Sequence, residues 1–132
     1  MPWTSLVRNP EGLEAVYQGD PPDLSGVRVH EVALHEDGPT LRIRLDLPRY
    51  PDQPPRKWAV QGFNTVQVEI SMGNLHAITL EGFTTSTTAN VSLTAKDGVT
   101  LGLTSSGTHI KATADFVFIS GLSAYVNEVG EP

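Results

Sequence analysis

A mainly β fold is predicted for this sequence: antiparallel sheets packed as a sandwich, or one strongly curved sheet, of about eight strands with one short N-terminal helix. Three observations carry that expectation. Apolar and polar residues alternate through most of the chain beyond Val27. Turn signals separate the alternating runs at intervals of about ten residues. Hydrophobic residues at 39% against charged residues at 18% supply a packed core and exclude a disordered chain. The 132 residues form a single domain, 1–132.

The helix comes first. Asn9 is placed to cap it, Pro10 suits its first turn, and Glu11 meets the positive end of its dipole. Leu13, Val16 and Tyr17 fall on one face before Gly19 and Pro21-Pro22 end the helix. So short a helix needs a surface to pack on, and Trp3 and Leu6 are expected to pack there too.

From Val27 the period is two. Val27-Arg28-Val29 and Val32-Ala33-Leu34 are extended, and their apolar phase slips at His30-Glu31, where a bulge would repair it. Asp37-Gly38 turns the chain into Leu41, Ile43, Leu45 and Leu47, with Thr40, Arg42, Arg44 and Asp46 on the solvent face. That is an antiparallel hairpin. Pro48 to Pro55 holds four prolines and is a loop.

Trp58-Ala59-Val60 leads to Asn64 and a strand through Val66, Val68, Ile70 and Met72. Gly73-Asn74 reads as a turn, followed by a returning strand through Ile78 and Leu80 that ends at Gly82. Thr84 to Thr88 is a polar loop or edge. A meander follows, through Ala89 to Ala95, Val99 to Leu103, Ile110 to Ala114 and Phe116 to Ile119, with turns at Asp97-Gly98 and Ser105-Ser106-Gly107.

The formal charge is −6, unevenly spread. Residues 1–37 hold two basic and seven acidic side chains, residues 42–57 five and two, and residues 58–132 two and six. This balance opposes sequence-independent binding of nucleic acid and favours a basic protein surface. Arg42 and Arg44 occupy a solvated strand face with no aromatic residue interleaved for base stacking. There is no cysteine, which removes disulfides, thiolate metal sites and thiol nucleophiles. No secretory leader is visible and no run approaches the roughly 18 residues of a membrane span, so a soluble, cytoplasmic domain is expected.

The densest group of possible ligands, His30-Glu31-Val32-Ala33-Leu34-His35-Glu36-Asp37, misses the His-Glu-x-x-His zinc motif by one residue. Five positions place the two imidazoles on opposite faces of a strand unless a bulge reunites them, and no metal is expected. His76 and His109 are solvated, and no nucleophile elbow or Gly-rich phosphate loop is present, so no catalytic residue and no cofactor is expected. Pro51-Asp52-Gln53-Pro54-Pro55-Arg56 fits a polyproline-ligand pattern but joins two strands, where a rigid connection explains it.

At Asp37-Gly38-Pro39, Leu41-Arg42-Ile43-Arg44-Leu45-Asp46-Leu47-Pro48, Tyr50-Pro51, Pro54-Pro55-Arg56-Lys57-Trp58 and Asn64-Thr65-Val66-Gln67-Val68 the chain resembles the immunity protein 50 family. Trp3, Gly12-Leu13-Glu14-Ala15-Val16-Tyr17 and Pro22-Asp23-Leu24-Ser25-Gly26-Val27 fit the same pattern, so the resemblance spans roughly residues 3–83. It implies an immunity protein of a bacterial polymorphic toxin system. Such a protein is no enzyme, needs no cofactor, and binds a cognate toxin domain to block its active site or its access to substrate. Toxin domains that act on nucleic acid present basic clefts, to which an acidic partner is steered. The expected contact residues are Asp20, Asp23, Glu31, Glu36 and Asp37. Two other classes stay open: a small-ligand-binding β module for a sugar or lipid, and a hydrolase using one of the four histidines.

Overall fold

The computed structural model describes residues 3–85 and 87–127; Ser86, inside the polar run Thr84 to Thr88, lies outside them. Its strands are β1 (Ser25–His35), β2 (Thr40–Asp46), β3 (Thr65–Glu81), β4 (Thr87–Ala95), β5 (Val99–Thr104) and β6 (His109–Tyr125). They close into an antiparallel barrel in the order β1-β2-β3-β6-β5-β4, with β4 returning to β1.

A six-strand barrel therefore replaces the expected eight-strand sandwich or curved sheet. The reason is local. Gly73-Asn74 does not reverse the chain, so β3 continues through it for 17 residues, and β6 absorbs both late segments into another 17. The two strands pair along their whole length, with bulges near Glu69/Ile70 and Leu75/Ala77. Asn74 takes a left-handed φ of 53°, and a Cβ on Gly73 would fall 2.2 Å from Phe116 Cζ. A glycine under an aromatic ring beside a bulge bends a strand without breaking it.

This bend divides the work of the two long strands. The first half of β3 pairs with β2, whereas the first half of β6 pairs with β5, so one ribbon turns a corner and serves both sides of the barrel. At the corner, Asp115 accepts hydrogen bonds from Asn74 Nδ2 and His76 Nε2, the latter at 2.7 Å. These partners, Asn74 first, hold the Asp115 carboxyl below its ordinary range. His76 is thus tied to a carboxylate, not simply solvated.

The alternating residues fill the interior. Leu41, Ile43, Leu45, Val66, Val68, Ile70, Met72, Leu101 and Leu103 are all buried. The bulge expected at His30-Glu31 is present: Val29 pairs with Leu45 and Glu31 with Arg44, leaving His30 as the extra residue. With the phase restored, Val27, Val29 and Val32 all turn to the core.

The N-terminal segment packs along the barrel, where Val7 bridges Val117 of β6 and Arg8 N donates to Val117 O at 2.9 Å. Helix α1 (Glu11–Val16) packs with Leu13 and Tyr17 buried, as the stripe predicts. Asn9 does not cap it. Its amide instead clasps the Ile119 backbone, donating to the carbonyl at 2.8 Å and accepting from the N–H at 2.7 Å. Trp3 lies in a 3₁₀ turn (Trp3–Leu6) and donates its indole N–H to Pro22 O at 3.0 Å. The segment leading from the proline loop to Asn64 forms a second helix, α2 (Arg56–Gln61), beyond the single helix expected; its N-cap residue Pro55 accepts the Trp58 and Ala59 N–H bonds. Gly62, at φ 67°, ends it. No helix of the described residues is long and apolar enough to cross a membrane.

Candidate partner interface

The five acids proposed from the sequence occupy three places. Asp20 and Asp23 precede β1, and the exposed Asp20 carboxylate lies 3.8 Å from Arg49 Nη2. Glu31 stands midway along β1. Glu36 and Asp37 share the exposed β1–β2 turn, where Thr40 Oγ1 donates to Asp37 O at 2.9 Å. An eleven-residue strand spans roughly 35 Å, so the two outer pairs do not form one patch.

Glu31 already has partners. Its Oε1 lies 3.5 Å from Arg44 Nε and 3.7 Å from Arg42 Nη2. The two arginines therefore serve an ion-paired ladder on the outer face, which explains them without a phosphate ligand. Half-exposed pairs of this kind contribute at most about 1 kcal/mol each.

Asp46 corrects the expectation of a solvated face. Only 5% exposed, it accepts from Tyr125 Oη at 2.6 Å and from Gln67 Nε2 at 3.3 Å, and it meets His30 Nε2 at 2.7 Å. The bulge aims His30 at that carboxylate. His35 ends β1 five residues on, roughly 15 Å away, so the two histidines do not converge. Burial first, then the bond to Asp46, pushes the Tyr125 hydroxyl up to about 12.

The barrel wall has an opening that alternation alone did not reveal. β4 pairs with β1 only as far as Val29, and β2 pairs with β3 only as far as Gly73. Among the described residues, β1 from Glu31 to His35 pairs on its β2 side alone, and β3 beyond Leu75 pairs with β6 alone. Leu75 N still reaches Pro39 O at 2.9 Å, where the β1–β2 turn crosses β3. The turn 36–39, these two strand edges and residues 82–85 together frame the gap.

Large apolar side chains surround it. Leu34 is 56% exposed, Leu80 44% and Phe83 50%. Leu34 and Leu80 occupy inward positions, opposite the buried Leu41 and Ile110 respectively. Glu36, Asp37 and Glu81 are exposed along the same frame, and segments 30–39 and 74–85 contain no Lys or Arg. Apolar ground inside an acidic margin is suited to a cationic polypeptide, not to a polyphosphate.

A family model described as immunity protein 50 matches residues 9–125. The chain belongs to the immunity protein 50 family. Its membership covers all six strands, including β4, β5 and β6, where the motifs quoted from the sequence had already ended. No curated protein and no solved structure matches the chain. In this immunity protein the sequence reasoning missed Leu34, Leu80, Glu81 and Phe83, since each looks like an ordinary strand or turn residue until the lengths of neighbouring strands are known.

Proposed function

We propose that this immunity protein binds the toxin domain of a bacterial polymorphic toxin in the cytoplasm of the producing cell and neutralises it by occluding its active site. The observation that carries this reading is the family match over the whole barrel, residues 9–125. The acidic charge of −6 and the acidic margin of the wall opening support a basic partner of the kind that acts on nucleic acid. In this reading the protein performs no catalysis. Inhibition comes from surface fit, so it is stoichiometric.

Glu36 and Asp37 are the strongest of the proposed contact residues, since they stand beside exposed apolar side chains. Asp20, Asp23 and Glu31 contribute through the long-range field. The small-ligand alternative draws no support from the interior, where Leu41, Val68, Met72 and Leu103 are completely buried and fill the space a ligand would need.

Co-expression tests the proposal. The C-terminal toxin domain encoded immediately upstream should arrest growth when expressed alone, and this chain should restore growth. Persistent arrest, with both proteins present at equal levels, would overturn it.

A further inference from the structure

An edge strand with unused N–H and C=O groups invites pairing by another chain, and proteins usually block such edges with lysine, proline or a bulge. β3 has its bulge at His76, so from Ala77 to Glu81 its edge is regular, and it contains neither lysine nor proline. Facing it across the opening, the β1 edge from Glu31 to His35 is equally unblocked. Leu34 and Leu80 point inward and yet stay half exposed, because no described strand lies over them.

We propose, on the footing that the protein binds a toxin domain, that an extended segment of that domain pairs along β3 at Ala77–Glu81 and covers the wall opening. Main-chain bonds align the segment, and its alternate side chains pack on Leu34, Leu80 and Phe83. Its outward side chains include Lys or Arg, matched to Glu36, Asp37 and Glu81. The same acids disfavour a second copy of this chain, which would bring like charges together. Lys111, opposite Thr79, belongs to β6, beyond β3 from the free edge, and Arg42, opposite Ala33 on β2, is held by Glu31.

The test mixes the full chain with the upstream-encoded toxin domain carrying an inactivating substitution. Amide exchange at Ala77–Glu81 should slow at least about tenfold in the complex. Leu34→Lys and Leu80→Lys should each weaken binding at least about tenfold, whereas Ala59→Lys, exposed on α2 and outside the frame of the opening, should change it less than about twofold. Circular dichroism and melting temperature establish that each variant is folded. A stable, neutralising complex with unchanged exchange at Ala77–Glu81 overturns strand pairing and leaves the toxin-binding function standing. Failure of the wild-type chain to bind overturns both.

Discussion

The Tyr125 hydroxyl donates to the Asp46 carboxylate at 2.6 Å, joining the last residue of β6 to the last residue of β2 across the intervening β3. Gln67 of β3 supplies the middle of this bridge, and the bulged His30 closes it from β1. Four strands meet at one carboxylate. Asp46→Ala should cost about 2 to 3 kcal/mol, because it strands several polar groups at once. Urea denaturation of the variant measures this directly.

Stability should fall in alkali. Tyr125 keeps its proton up to about 12 in the folded protein, against an ordinary value of 10.0. Its contribution is fully present below pH 10 and is lost as the pH rises through about 12, since the unfolded chain releases the proton first. The buried Tyr17 and the neighbouring Tyr50 shift in the same direction, chiefly by burial. Tyr125→Phe should therefore flatten only part of the decline, seen by thermal unfolding at stepped pH.

Gly82 has backbone where other residues have a side chain. At φ 72°, a Cβ there would sit 2.1 Å from Gly107 O. Gly82→Ala must push the β5–β6 turn away and should cost about 1 to 3 kcal/mol, read from the denaturation midpoint.

Trp3 should matter more than its place near the start of the chain suggests. It is buried and hydrogen-bonded to Pro22 O. Trp3→Ala should cost about 3 to 5 kcal/mol, whereas Trp3→Phe keeps much of the apolar contact and loses the bond. Comparing their melting temperatures separates packing from hydrogen bonding.

Charge reversal at Glu36, Asp37 and Glu81 should act on encounter. The triple substitution to Lys should lower the association rate with the toxin domain at least about tenfold at low salt, with a smaller change in dissociation. Stopped-flow measurements across a salt series would show a flatter slope for the variant than for the wild type.

Period-two alternation made the core legible: Leu41, Ile43, Leu45, Val66, Val68, Ile70 and Met72 are all buried as it predicts. Gly73-Asn74 misled because turns and strand bends recruit the same residue types, here Asn74 for its positive φ and Gly73 for the close approach of Phe116, and only long-range pairing distinguishes them. The second helix, around Trp58, went unread because six residues are too few to display a helical stripe. Asp46 alternates like any solvent-facing residue, and nothing nearby signals that Tyr125, far along the chain, covers it. The opening was illegible for a related reason. It exists where β3 outruns β2 and β1 outruns β4, a difference in length between partners that local pattern does not encode.

The clasp of Asn9 on Ile119 has a consequence for how the protein is born. Residues that leave the ribosome early find their seat only after the final strand has emerged, and β3 likewise waits for the partner that lines its entire length. The β1–β2 hairpin can form during synthesis, but the wall cannot shut until translation has passed β6. A ribosome stalled before that point would hold a half-built molecule whose sticky inner surface still needs guarding.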